Sequence, residues 1–299
     1  MIIFVIFYVI FAIYYDANQF LESLDKINPY FIIPILFCFT TAILIKSLRQ
    51  MLFLRHLGIR IPFKQNTIIY LAGLSMLITP AGLGEMIKSH FLLKKYNQPV
   101  SKTIPLVLVE RYHDALAILS ILIIFSIITG TTFLTIPLLI IGILLLVSLI
   151  VIKSRKLFPM FQKVIRKVKI FQALENHSIE FNKSLVSFTS KKIFFSGWVV
   201  GMVAWSFDGL GIFLCFQAFE LDFDFFISAL LGLASILIGA LTLIPGGVGV
   251  TEVSFVQLLS LYGIESSIAS ALVLFFRLQS IWFVTCIGFV ATKFALSKN

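Results

Sequence analysis

Two arginines stand where arginine is costly. Arg111 lies in the apolar stretch 103–128 and Arg277 in the apolar stretch 266–292; Glu110 and Asp114 flank the first, and Asp208 interrupts the stretch 193–219. A charge near the bilayer centre costs at least about 2.5–3.5 kcal/mol on insertion scales, so such side chains face partners or water and mark function. On this reading Glu110, Arg111, Asp114, Asp208 and Arg277 are the charged residues inside the spans. Arg111 is about 8 residues, or roughly 12 Å, into its helix at 1.5 Å per residue, and Arg277 is about 11 residues into its own. Arg111 and Asp114 are three apart and share a helix face, which also fits a local ion network. Arg277 has no acidic neighbour on its helix, so it needs Glu252, Asp208 or an anionic ligand. A planar guanidinium matches phosphate bidentately.

Each arginine follows a backbone-breaking motif at nearly the same distance. Pro80-Ala81-Gly82-Leu83-Gly84-Glu85 precedes Arg111, 31 residues after its proline; Pro245-Gly246-Gly247-Val248-Gly249 precedes Arg277, 32 residues after its proline. Pro removes a backbone donor and Gly admits unusual dihedrals, so both motifs break helices. Pro80, Gly82, Gly84, Pro245, Gly247 and Gly249 are the loop-forming positions. Irregular chain in a bilayer survives only inside protein or along a wet cavity. Glu85 and Glu252 open the helix after each break. There they complement the macrodipole, and the same N-termini can hold an anionic headgroup. Lys88, one turn past Glu85, pairs with it or with a lipid phosphate.

The elements that must position these residues are membrane helices. The chain of 299 residues is 59% hydrophobic and 13% charged, with a mean hydropathy of +1.03. Soluble domains carry about a quarter charged residues, so a soluble enzyme, a disulfide scaffold and a disordered chain are excluded. Eight apolar stretches run over 2–15, 29–48, 66–84, 103–128, 133–152, 193–219, 226–249 and 266–292. The first is expected to be a membrane helix, since it lacks the basic lead and cleavage site of a signal peptide.

Charge fixes their topology. Lys and Arg are concentrated in 46–65, 85–102, 153–192 and the tail from Lys293, whereas 16–28, 220–226 and 250–267 are acidic. Loops rich in Lys and Arg stay cytoplasmic. Eight full crossings would export a basic segment whichever way the chain enters. The conflict vanishes if 66–84 and 226–249 enter and return to the same side. The expected fold is therefore an all-α polytopic protein of the cytoplasmic membrane, a single membrane domain over 1–299. It has six full spans, two re-entrant broken helices and both termini cytoplasmic. Its halves, 1–130 and 133–299, are inverted repeats of four segments each, an arrangement typical of alternating-access transporters. The net charge of +10 is thereby a topology signal, and no nucleic-acid partner is expected. Segment 153–192, with Lys163, Arg166, Lys167 and Lys169 among apolar residues, reads as a basic amphipathic helix on an anionic leaflet. Cys38, Cys215 and Cys286 are scattered through apolar runs, as are the histidines along the chain, so no metal site or cofactor is expected.

These residues carry a resemblance. Pro80, Gly84-Glu85, Lys88, Glu110-Arg111 and Asp114, then Pro245 to Gly249, Glu252 and Arg277, resemble the membrane region of lysylphosphatidylglycerol synthases and stand-alone flippase-like proteins. The bifunctional members add a soluble aminoacyl-transfer domain. This chain reaches Asn299 seven residues after the last apolar stretch, so the resemblance implies translocation without synthesis, a transporter and not an enzyme. Ala81 and Leu83 replace polar or basic side chains found in some relatives. The expected function is translocation of a phosphate-bearing lipid or lipid-linked sugar, with Arg111, Arg277, Glu85, Lys88, Glu110, Asp114 and Glu252 at the headgroup. Its partners are a membrane lipid and, further, a glycosyltransferase or lipid-modifying enzyme. The rival readings are a membrane enzyme acting on phospholipid or polyprenyl-phosphate headgroups, an accessory subunit of one, and a non-transporting partner of a glycosyltransferase. No nucleophile–base pair, metal-ligand cluster or nucleotide loop is evident in the sequence.

Overall fold

The computed structural model describes residues 22, 27–154 and 178–297. The apolar stretch 2–15 and the amphipathic run holding Lys163, Arg166, Lys167 and Lys169 lie outside the described residues. Among the described residues the secondary structure is helical throughout. Among the described residues five helices are long and apolar enough to cross a membrane: Pro29–His56, Val100–Thr129, Thr135–Lys153, Lys191–Ala218 and Ser266–Leu296. The chain is a multi-pass membrane protein.

Helix α1 (Ile32–His56) runs eight residues past the apolar stretch that announces it. Next come α2 (Phe63–Leu74), a 3-10 turn over Pro80–Met86, and α3 (Ile87–Tyr96). At 1.5 Å per residue α2 is about 18 Å long, too short for a hydrocarbon core of about 30 Å. Asn97, at φ 52°, ends α3 in the left-handed conformation, which Asn tolerates better than most residues. Helices α4 (Val100–Thr129), α5 (Thr135–Lys153) and α6 (Ser178–Ser187) follow, then α7 (Lys191–Ala218). The break recurs as α8 (Phe225–Leu241), a 3-10 turn at Pro245–Gly247, and α9 (Val250–Ser260). Helix α10 (Ser266–Arg277) closes with a π-helical turn, Leu278–Phe283, and continues as α11 (Val284–Leu296). The stretch 266–292, read from sequence as one uniform span, is thus interrupted directly after Arg277.

The most extensive packing joins α1 to α7. They run antiparallel: Asn28 N–H donates to Ala218 O at one end, Lys46 meets Asp208 midway, and Phe53 lies on Gly197 at the other. Glycines let them approach, since a Cβ at Gly197 would come within 2.6 Å of the Phe53 ring and one at Gly201 within 3.0 Å of Arg49 Nη1. Small residues serve membrane helices this way because dispersion, not water exclusion, holds them together. Helix α2 packs against α11, and α8 against α4 and α9. The two 3-10 breaks touch one another. Helix α5 keeps a single buried residue, Leu138, and exposes Ile136, Leu139, Ile140 and Ile143, as suits a lipid-facing helix.

Candidate functional site

Between the two breaks lies a cavity of about 480 Å³. Its wall is mainly aliphatic and aromatic, and its charged lining is Lys46, Arg111, Asp114, Asp208 and Arg277. Gly82 from the first break and Gly246 and Gly247 from the second reach it too. Sites of about 300–1,000 Å³ with an apolar wall and a few placed polar groups are typical ligand pockets.

The second break is organised around Arg277. Its Nε donates to Glu252 Oε1 at 2.7 Å, and its Nη2 donates to the carbonyl oxygen of Gly246 at 2.7 Å. Gly246 has φ 61°, a conformation that is cheap only without a Cβ. Glu252 also accepts the Gly249 N–H at 2.7 Å through Oε2, capping α9. The carboxylate expected either at Glu252 or at Asp208 is Glu252.

The first break is a denser network. Lys88 is fully buried, 3.1 Å from Glu85 Oε2 and 2.5 Å from Glu110 Oε2, over the Tyr70 ring. Gly73 makes room for it; a Cβ there would come within 2.6 Å of Lys88 Cγ. Adjacent in sequence, Glu110 and Arg111 point differently. Glu110 is fully buried, whereas the Arg111 side chain is 33% exposed on the cavity. Arg111 Nη2 lies 3.4 Å from Glu85 Oε1 and 3.1 Å from Asp114 Oδ2, so the shared helix face does form an ion pair. Asp114 Oδ1 further accepts from Arg49 Nη2 at 2.7 Å and from Trp205 Nε1 at 3.0 Å.

Of the residues singled out from sequence, Arg111, Asp114, Asp208, Arg277, Gly82 and Gly247 line the cavity. Glu85, Lys88, Glu110 and Glu252 sit behind that surface, as buried counter-charges. Pro80 opens the first 3-10 turn and Pro245 the second; Gly84 lies inside the first, and Gly249 precedes α9. Lys88 touches its two carboxylates, and Glu85 was one of the two partners anticipated.

Two cations escaped the sequence reading. Lys46 and Arg49 belong to the basic segment 46–65 that the charge pattern places in the cytoplasm, yet both lie within α1, and Arg49 is fully buried. The number of charges inside the spans was accordingly too low. Hydropathy averages lose the helix where its polar face begins, although helical hydrogen bonding continues to His56. The available signal was the spacing of Lys46 and Arg49, three apart on one face, with Gln50 beside Arg49. Lys46 Nζ is 2.6 Å from Asp208 Oδ2 and 3.6 Å from the Trp205 ring centroid. Among the described residues no group of three or more His, Cys, Asp or Glu is arranged to hold a metal ion.

Helices that span, two helix–break–helix units that touch at their breaks, and a charged cavity beside them define a polytopic membrane protein with an internal charged cavity. The chain belongs to the lysylphosphatidylglycerol synthase TM region family, whose signature matches residues 1–288. It is similar to a UPF0104 membrane protein of Methanocaldococcus jannaschii, 28% identical over 71% of this chain and 89% of the relative. A second protein of that name and organism is 26% identical over 93% of this chain and 88% of its own length. A UPF0104 membrane protein of Pyrococcus horikoshii is 24% identical over 86% of this chain and 85% of its own.

Proposed function

We propose that the protein is a flippase-like translocase of the cytoplasmic membrane, moving a phosphate-bearing lipid or lipid-linked sugar. The observation that carries this reading is that Arg111 and Arg277, one from each half of the chain, line a single cavity at the meeting point of two broken helices. Its apolar wall suits an amphiphile whose chains remain in the bilayer. The phosphate exchanges contacts with the two guanidiniums, while Glu85, Asp114 and Glu252 hold their orientation.

An inverted repeat underlies this function. Helices α1 and α7, second in each half, are antiparallel partners. The cross-contacts are reciprocal, because α2 of the first half packs on the last span and α8 of the second half packs on α4. Such exchange is what a two-fold relation between halves produces. With the two short breaks re-entrant, the charge pattern keeps the basic loops on the cytoplasmic side. Rocking of one half against the other then opens the cavity to either side.

The test is native mass spectrometry of protein purified in mild detergent, comparing wild type with Arg277→Ala. A phosphate-bearing lipid retained by wild type and lost from the variant is the expected result. Full lipid movement by Arg277→Ala in reconstituted vesicles would remove the arginine from the mechanism.

A further inference from the structure

The buried charges of this site cancel. Lys46 is paired with Asp208, Arg49 with Asp114, and Arg277 with Glu252. Lys88 lies between Glu85 and Glu110, and Arg111 between Glu85 and Asp114. That makes five cations and five carboxylates, and every cation already has a carboxylate partner. An arriving phosphodiester, with one negative charge, would leave the cluster at net −1 inside the membrane. An unbalanced interior charge costs several kcal/mol unless another charge accompanies it.

We infer that the headgroup crosses together with one proton, and that Asp208 is the residue that takes it. This rests on the translocase reading. Asp208 and Asp114 are the carboxylates on the cavity wall, and they are not equivalent. Asp114 is held by Arg49, Arg111 and the Trp205 N–H. Among the described residues Asp208 has a single ionic partner, Lys46, whose flexible stem also borders the cavity. In the exchange, the Lys46 N–H···O contact to Asp208 opens and a Lys46 N–H···O–P contact to the phosphate forms. A proton from water adds to the freed Asp208 carboxylate. Lys46 remains an ammonium throughout, no covalent bond to the lipid changes, and the loaded site is neutral again. On the far side both lipid and proton leave and the Lys46–Asp208 contact closes.

The groups around Asp208 are consistent with this role. From α1, Lys46 pairs with it, and the Cys38 thiol of α1 and the negative Asp114 of α4 lie within electrostatic reach. Helix α8 has no ionisable side chain, and the ionisable residue of α10 is Arg277, already held by Glu252. The turn Pro29–Phe31 offers Tyr30, which is 86% exposed beside the far end of α7.

The experiment uses the full-length protein in phosphatidylcholine vesicles carrying a trace of acyl-labelled phosphatidylglycerol, a phosphodiester of charge −1. Dithionite bleaching reads the share of label in each leaflet. A lipid anion moving with one proton is electroneutral. Its equilibrium ratio shifts about tenfold per unit of pH difference, toward the leaflet on the alkaline side, and ignores a potassium–valinomycin potential. A lipid anion moving alone shows the opposite pattern, about 50-fold per 100 mV of potential and no response to pH. That second pattern in wild type would overturn the proton while leaving translocation intact. Asp208→Asn should bring the pH-driven ratio back to one, and Asp208→Glu should keep it. A tenfold ratio surviving in Asp208→Asn would move the proton elsewhere. No movement of label by wild type under any gradient removes the translocase reading itself, and the coupling with it.

Discussion

Arg277 and Glu252 meet at 2.7 Å across 25 positions of chain, and the same arginine holds the carbonyl of Gly246. One guanidinium therefore ties the spanning helix α10 to the second break itself and to α9, the helix that follows it. Its paired state also means that any anionic ligand reaches an arginine already neutralised, so binding is an exchange of partners.

Breaking this pair should cost far more than removing it. Glu252→Ala leaves a buried guanidinium without its counter-charge, and a loss of about 3–5 kcal/mol of stability is expected. The double variant Arg277→Met/Glu252→Leu should be less destabilised than either single one. Thermal unfolding in detergent, analysed as a double-mutant cycle, checks this; additive losses would show that the two side chains are not coupled.

Lys88 and Arg111 should separate stability from binding. Lys88→Met strips the cation from two fully buried carboxylates, and its melting temperature should fall steeply. Arg111→Gln changes a side chain that is one-third exposed on the cavity, so its melting temperature should move little while lipid retention in native mass spectra falls. Equal effects of the two variants on both readouts would contradict the division between lining and supporting charges.

Gly246→Ala tests the second break. The backbone there sits at φ 61°, a conformation that costs an L-residue roughly 1–2 kcal/mol. Strain relieved by rotating the peptide would withdraw the carbonyl from Arg277. The expected outcome is a lower melting temperature together with weaker lipid retention. Gly58→Ala, at φ 77° with open space around it, should show the lower stability without the loss of lipid.

Gly288→Ala should push α11 off α2. An added Cβ would lie 2.4 Å from the Ser75 amide nitrogen and 2.8 Å from the Leu71 carbonyl oxygen, backbone atoms that cannot step aside. A loss of about 1–3 kcal/mol is expected from overpacking. Gly142→Ala, whose Cβ would sit at an ordinary 3.6 Å from Leu119, is the control and should be close to neutral. Reversible unfolding in mixed detergent reads both.

The membrane class, the two breaks and the two arginines were all determined by the sequence alone, because each is a local property of the chain. An apolar stretch has nowhere else to go, Pro and Gly break a helix wherever they cluster, and an arginine in such a stretch needs a partner. Tertiary structure decided who that partner is. Lys46 finds Asp208 across 162 positions, and Arg49 finds Asp114 across 65. Nothing along one helix encodes such meetings, since they depend on how closely α7 and α4 pack on α1. The π-helical turn after Arg277 was equally invisible, because it carries no proline or glycine. The sequence supplied the charges, and the helix packing decided that they cancel.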